Sequence, residues 1–123
     1  MSAREIANEK ILHGLISLYI LRELLAAPMH GYELGKKIAS ATGRPMPQGS
    51  IYVLLKSLKS RNFVTLDHVM NEKGQMLCRY HITEEGREFL RAHADPLKSA
   101  RRIIDDLIIS VDNMSLQDQT SYR

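Results

Sequence analysis

The chain has 123 residues and a net charge of +3, with 44% hydrophobic and 25% charged residues. This composition is that of one globular domain with a moderate core, and it excludes a chain that is disordered throughout. The single cysteine, Cys78, excludes an internal disulfide, and the N-terminus lacks the pattern of a signal peptide. The apolar run at 15–21 is too short to cross a membrane. We therefore expect a cytoplasmic protein without membrane attachment.

Two helices are expected in the first third of the chain. The first covers residues 5–27, and Pro28 ends it. Its apolar surface is wider than one stripe, which indicates burial on more than one side, in part by a second subunit. This surface comprises Ile11, Leu12, Leu15, Ile16, Leu18, Tyr19, Leu24 and Leu25.

The second helix is expected to open at His30-Gly31 and to run to about residue 41, with Gly43 as its C-terminal stop. His30 either bonds locally at this helix start or helps to hold a phosphate. Lys36 and Lys37 should stay solvated. The inward positions are predicted to be Tyr32 or Glu33, with Leu34, Ile38 and Ala41.

A third helix is expected over residues 47–61, and it is the candidate DNA-reading helix. One face is apolar and should be buried, with Ile51, Leu54, Leu55 and Leu58. The opposite face is small, polar and basic, with Gly49, Tyr52, Val53, Lys56 and Ser60, and with Ser57 and Lys59 at its margins. No acidic residue lies between Glu33 and Asp67. Such a face suits the DNA major groove, although an ordinary surface helix is the alternative.

Positive charge is concentrated around this helix. Residues 36–79 contain eight basic and two acidic residues, a net charge of +6, whereas the rest of the chain has a net charge of −3. This is the distribution expected of a phosphate-binding surface. The basic residues are Lys36, Lys37, Arg44, Lys56, Lys59, Arg61, Lys73 and Arg79, and all except Arg61 are candidate DNA contacts.

A β-hairpin follows the third helix. Residues 63–70 and 76–82 have alternating, β-rich patterns, and 71–75 supply turn chemistry. Thr83 then caps a short helix. Three helices followed by a hairpin define a winged helix-turn-helix, a mainly α fold with a small β-hairpin. The hairpin is the wing, with Lys73 near its tip and Arg79 on its returning strand, where both can reach phosphates.

The start of the third helix is where helix-turn-helix proteins present side chains to bases. Gln48 and Ser50 lie in its first turn, Lys56 can reach a phosphate or a guanine, and Val53 can meet a thymine methyl group. The hydroxyl of Tyr52 can bond DNA while its ring packs on the domain, and pure packing is the alternative.

The last helix, over residues 96–113, is predicted to form a homodimer. Its apolar residues recur at the spacing of a coiled-coil seam, and additional isoleucines broaden the surface. We expect it to pack on its mate and on the partner's first helix; folding back on its own subunit is the alternative. The seam contains Leu97, Ala100, Ile104, Leu107, Val111 and Met114, flanked by Ile103, Ile108 and Ile109. The predicted organisation is thus a DNA-binding domain at 1–92, a dimerisation helix at 93–114 and a polar, frayed tail at 115–123.

Neither a metal nor an organic cofactor is expected. The five histidines form no His-x-x-x-His pair, and only one cysteine could assist them. His68 and His81 are expected to face each other across the wing as a solvated pair. No nucleophile elbow, P-loop or dinucleotide fingerprint occurs, so an enzyme is not expected.

Three motifs give the chain a family resemblance over residues 11–90. They are His30-Gly31-Tyr32-Glu33-Leu34, then Gly49-Ser50-Ile51-Tyr52 with Leu54-Leu55 and Leu58, then Arg79-Tyr80-His81-Ile82-Thr83 with Gly86. In these motifs the chain resembles the PadR family of transcriptional regulators.

The resemblance implies a winged-helix dimer that binds operator DNA and, in many relatives, releases it when a small hydrophobic or aromatic effector binds near the dimer interface. It places Ser50 and Tyr52 in the recognition helix, and Arg79 with Tyr80 on the wing strand. Arg61-Asn62 departs from the family pattern, since relatives have a glycine-containing turn there. The short C-terminal region resembles the compact branch of the family.

Two other functions remain open at this stage. One is a winged helix that serves protein assembly and has no DNA site; the other is an architectural DNA-binding protein without sequence preference. A sequence-reading regulator, most simply a repressor, should bind DNA with a steep salt dependence, which the protein-assembly module would lack. It should also prefer one DNA sequence, which the architectural protein would not.

Overall fold

The computed structural model describes the backbone of residues 3–120 and the side chains of residue 3 and residues 12–117. The chain is mainly helical with one small sheet, as predicted. Its elements in order are α1 (Ala3–Ala26), β1 (Met29–His30), α2 (Gly31–Thr42), α3 (Gln48–Ser60), β2 (Val64–Met70), β3 (Met76–Ile82), α4 (Glu84–Arg91) and α5 (Ala94–Thr120). Residues up to Leu90 form one compact unit, and residues from Arg91 onward form a second.

The core of the first unit lies where α1, α2 and α3 meet the sheet. The predicted inner face of α3 is fully or almost fully buried, because each of its four aliphatic side chains falls on one side of a 3.6-residue repeat. Burial of each such side chain contributes about 1.5–3 kcal/mol. The buried core comprises Ile16, Ile20, Leu21, Leu24, Met29, Leu34, Ile38, Ile51, Leu54, Leu55, Leu58, Val64 and Tyr80. In α1, Leu25 of the predicted apolar surface is 42% exposed in the single chain, and its predicted cover by a second subunit stays a prediction.

The inward face of α2 differs in part from the prediction. Leu34 and Ile38 are buried as expected, but Tyr32, Glu33 and Ala41 are exposed. The buried positions beside α3 are instead two glycines, Gly31 and Gly35. A Cβ atom at Gly31 would meet the Tyr52 ring and one at Gly35 would meet the Gln48 carboxamide, so both α3 side chains would have to shift.

The ends of the helices follow the local signals in the sequence. Gly43 ends α2 in the left-handed conformation, with φ of 68°, and its N–H donates to the carbonyl of Ala39. The Thr83 hydroxyl caps α4 by accepting a hydrogen bond from the Gly86 N–H at 3.0 Å. After α3, Asn62 has a φ of 64°. Asparagine tolerates this conformation better than other non-glycine residues, which explains how the chain turns into the wing without a glycine.

The wing is the antiparallel β2–β3 hairpin, paired from Val64↔Ile82 to Met70↔Met76. The carboxamide oxygen of Asn71 organises its turn by accepting hydrogen bonds from two backbone N–H groups, at 2.9 and 3.0 Å. The sheet has a third strand that the sequence did not reveal: β1 pairs with β3, and the strand order is β1-β3-β2. The Nδ1–H of His30 donates to the carbonyl of Cys78 at 2.9 Å, which ties β1 to the wing.

In the second unit, α5 begins at Ala94 and continues to Thr120, beyond the predicted end at residue 113. Residues 115–120 of the predicted frayed tail are therefore helical, and residues 121–123 lie outside the described part. The large apolar side chains of α5 are exposed in the single chain. They are Leu97, Ile103, Ile104, Leu107, Ile108, Ile109, Val111, Met114 and Leu116.

Candidate nucleic-acid interface

The outward face of α3 is open to solvent along its length. Tyr52 is 44% exposed and Val53 is 64% exposed. Gly49, Ser50, Lys56, Ser57, Lys59 and Ser60 are also exposed. Lys59 lies in the last turn, where a positive charge also favours the helix dipole. This face presents hydroxyl groups, two ammonium groups and one small apolar side chain, and α3 contains no carboxylate that would repel a phosphate.

Tyr52 packs against α2 and is also partly exposed to solvent. Its ring lies directly over Gly31 at the start of α2: a Cβ atom on Gly31 would be 2.6 Å from Cε1 and 2.9 Å from the phenol oxygen. Tyr52 therefore fixes the position of α3 against α2, while nearly half of its surface faces solvent. Its hydroxyl lies close to Gly31 in the first turn of α2, whose N-cap residue His30 makes no side-chain cap hydrogen bond.

Gln48 was predicted to face DNA, but its side chain packs against α2. Its Oε1 atom lies against Gly35, 2.8 Å from where a Cβ atom would be, and its Nε2 atom is buried without a hydrogen-bond partner. The side chain thus packs between α2 and α3. To read a base, Gln48 would have to rotate out of this contact.

The other basic candidates lie on α2, in the turn before α3 and on the wing. Lys36 and Lys37 are exposed on α2, and the Lys36 ammonium lies 5.2 Å from the centre of the Tyr32 ring. Arg44 is exposed in the turn between α2 and α3, and Lys73 is exposed in the turn of the wing. All four side chains are open to solvent, as side chains that contact phosphates must be.

Arg79 is not a free cation. Its guanidinium binds the carboxylate of Asp67, the residue opposite it in the hairpin, with Nη2 to Oδ2 at 3.1 Å and Nε to Oδ1 at 3.3 Å. The Nε2–H of His81 donates to the same carboxylate at 2.9 Å. The hydrogen bond from Arg79 is the largest cause that lowers the pKa of Asp67 below its ordinary value of 3.8. Asp67 therefore occupies two N–H donors of Arg79 and offsets its charge, so a phosphate would compete with Asp67 for this guanidinium.

This register also corrects the predicted histidine pair. His68 lies opposite Cys78, and His81 lies opposite Thr65. Because neighbouring residues of a strand point to opposite faces, His68 and His81 are on different faces of the hairpin. The role of Asp67 was missed, although the predicted turn at 71–75 already implied that it would lie opposite Arg79.

Tyr80, which belongs to the third sequence motif, is a core residue. It is 9% exposed and pairs with Met29 of β1. Burial raises the pKa of its phenol. Within this motif Arg79 and His81 both bond Asp67 on one face of the hairpin, whereas Tyr80 packs in the core.

The described part of the chain contains no candidate metal cluster and no candidate membrane-spanning helix. Among those residues, no cluster of three histidine, cysteine, aspartate or glutamate side chains could hold a metal ion. Nor is any helix within the described range both long and apolar enough to cross a bilayer.

A helix-turn-helix with an exposed basic second helix, followed by a β-hairpin, defines the class of winged-helix DNA-binding proteins. The sequence profile of the transcriptional regulator PadR-like family matches residues 18–92. The chain belongs to this family, whose members are transcriptional regulators and generally not enzymes.

Solved structures agree with this assignment. The protein TA0346 from Thermoplasma acidophilum, named as a candidate transcriptional regulator, is 57% identical, with a TM-score of 0.77 over 81% of this chain and 96% of that chain. A PadR-like transcriptional regulator from Bacillus cereus is 24% identical, with a TM-score of 0.69 over 80% and 96% of the two chains. A PadR family regulator from Clostridium difficile is 22% identical, with a TM-score of 0.63 over 76% and 97%. The last two similarities concern the fold alone. No curated protein sequence matches the chain.

Proposed function

We propose that the protein is a dimeric, sequence-specific DNA-binding repressor whose α3 reads the major groove. The observation that carries this proposal is the exposed face of α3, which is basic, free of carboxylates and held at its start by the contact between Tyr52 and Gly31. A rigidly positioned helix is what discrimination between base edges requires.

The candidate contacts divide into two groups by their chemistry. Ser50, Tyr52, Val53 and Lys56 lie on the outward face of α3 and would meet base edges or the adjoining phosphates, with Gln48 joining them if it leaves its contact with Gly35. Phosphates would be bound by the other basic candidates, which are Lys36, Lys37, Arg44, Lys59, Lys73 and, in competition with Asp67, Arg79.

Salt dependence of DNA binding tests this assignment. Each phosphate neutralised by a lysine contributes about 0.9 to the slope of log K against log salt concentration. Lys56→Glu should therefore reduce the slope by about one for each subunit that contacts DNA. Lys98→Glu is the matched control, because it changes the net charge equally on an exposed lysine of α5. Equal slopes for both variants would refute the role of α3.

A homodimer would explain the exposed apolar side chains of α5. Nine large apolar residues along one helix form a surface that soluble monomers rarely leave uncovered. We propose that the predicted residues Leu97, Ala100, Ile104, Leu107, Ile108 and Val111 pack against a second copy, so that residues 93–114 serve dimerisation and residues 1–92 serve DNA binding. Two-fold symmetry would then present two α3 helices to successive turns of the major groove.

Sedimentation analysis of two charge-adding variants tests the dimer. Leu107→Glu places a carboxylate on the seam, where it would have to be desolvated, and should raise the dissociation constant of the dimer by about a hundredfold or more. Asn113→Glu adds the same charge on the opposite side of α5 and should leave the dimer intact. Dissociation of both variants, or of neither, would contradict the proposed seam.

Repression and its relief by a small hydrophobic or aromatic effector complete the proposal. A dimer that covers its operator with two winged helices excludes other proteins from the same DNA, which is the simplest route to repression. A reporter gene behind a selected operator would distinguish repression from activation by the sign of the response.

A further inference from the structure

An apolar cavity adjoins the recognition helix inside the first unit. It lies between α1, the turn at 43–47 and the first half of α3, and its volume is about 390 Å³. Small-molecule sites in proteins have volumes of roughly 300–1,000 Å³, so a compact organic molecule fits this space.

The lining combines an apolar floor with cationic and hydroxyl groups. The apolar lining includes Leu12, Ile16, Met46 and Leu54. Arg44 and Ser50 contribute polar groups at the side of the turn. None of the described lining residues is acidic, and no carboxylate in the described part of the chain pairs with the Arg44 guanidinium.

We propose that this cavity binds a small aromatic or aliphatic anion, with its apolar body between α1 and α3 and its carboxylate or sulfonate on Arg44. A guanidinium binds planar oxyanions through two parallel hydrogen bonds, and the Ser50 hydroxyl is available as a further donor. The Thr42 hydroxyl already donates to the carbonyl of Ile38, so it closes the cavity without adding a donor.

Occupancy of the cavity would regulate DNA binding, a consequence that rests on the proposed function. Arg44, Ser50 and Val53 line the cavity and also belong to the candidate DNA surface. A ligand that engages the first two removes them from DNA, and its body presses on α3 beside Val53. Ligand and operator should therefore compete, each lowering the affinity of the other by the same factor.

Two probes of the same shape separate the apolar and anionic parts of the site. We would titrate the full-length protein, without DNA, with 2-naphthoate and with the neutral 2-naphthylmethanol, and follow the methyl signals of Ile16, Met46, Val53 and Leu54 by NMR. The naphthoate should shift these signals saturably and bind about tenfold more tightly than the alcohol.

Substitutions test which side chains cause the preference for naphthoate over the alcohol. Arg44→Gln should remove the advantage of naphthoate over the alcohol, and His13→Trp, which fills the cavity from the exposed side of α1, should weaken both probes. Lys36→Gln, a candidate DNA contact outside the cavity, should change neither. Equal affinity of the two probes, or shifts confined to the methyl groups of α5, would overturn the site. So would an absence of shifts together with intermolecular contacts that place a second copy's α5 in the cavity.

Competition is measured separately by adding naphthoate to the complex of protein and DNA. Weaker DNA binding in the wild type but not in His13→Trp supports the regulatory link, and unchanged DNA binding at saturating naphthoate refutes it. The titration without DNA stands independently, so a failure of the proposed DNA function and a failure of the ligand site give different results.

Discussion

Replacing Gly31 with alanine should disturb the contact that positions the recognition helix. The added Cβ atom would lie 2.6 Å from Cε1 of Tyr52 and 2.8 Å from Cζ. Ordinary carbon–carbon contacts are about 3.5–4.0 Å, so the ring must retreat by about 1 Å. Because Tyr52 is partly exposed, the ring can move outward, and we expect a cost of about 1–2 kcal/mol in the free energy of unfolding, at the lower end for overpacking.

A double-mutant cycle tests the origin of this cost. In a Tyr52→Ala background the ring is absent, and Gly31→Ala should then be neutral or stabilising by up to about 1 kcal/mol, since alanine favours helix over glycine. Urea denaturation of the four proteins gives the coupling energy. DNA affinity should fall more than tenfold in the single variant, because the displaced ring no longer aligns α3. The same loss of stability in both backgrounds would refute the contact as the cause.

Four further predictions concern α4, the turn after α3 and the wing. Gly86→Ala should destabilise the domain by about 2–3 kcal/mol in urea, because its Cβ atom would meet the backbone carbonyl of Phe63, which cannot move aside; a cost below 0.5 kcal/mol would contradict this. Asn62→Gly should change the unfolding free energy by less than about 0.5 kcal/mol, whereas Asn62→Val should cost about 1–2 kcal/mol because of the positive φ; equal effects would contradict the left-handed turn. Asp67→Asn should release Arg79 and increase the salt slope of DNA binding by about one per subunit, and an unchanged slope would remove Arg79 from the interface. Since the pKa of Asp67 is lowered in the folded protein, its ionised form stabilises the fold above pH 3.8, and the advantage over Asp67→Asn should disappear as the pH falls further; a pH-independent difference in urea denaturation would contradict the ion pair.

Local signals were sufficient for most of the fold. The left-handed Gly43, the Thr83 cap and the apolar face of α3 each follow from short-range chemistry, and all three are present in the structure. The strand β1 was missed because two residues have no periodicity, and its pairing with Tyr80 is a contact between distant parts of the chain.

The candidate site was predictable as a face but not as a set of contacts. Periodicity alone placed Val53 and Lys56 on the exposed side of α3. The packing of Tyr52 on Gly31 and of Gln48 on Gly35 depends on how closely α2 and α3 approach, which no local pattern encodes.

Unbiased selection of duplex DNA by the purified protein tests whether a dimer reads one DNA sequence through α3. The wild type should enrich a two-fold symmetric sequence, and a Lys56→Glu, Tyr52→Ala double variant should lose that enrichment at moderate salt. Equal, sequence-independent binding by both proteins, or binding by neither, would contradict the assignment of α3 as a recognition helix.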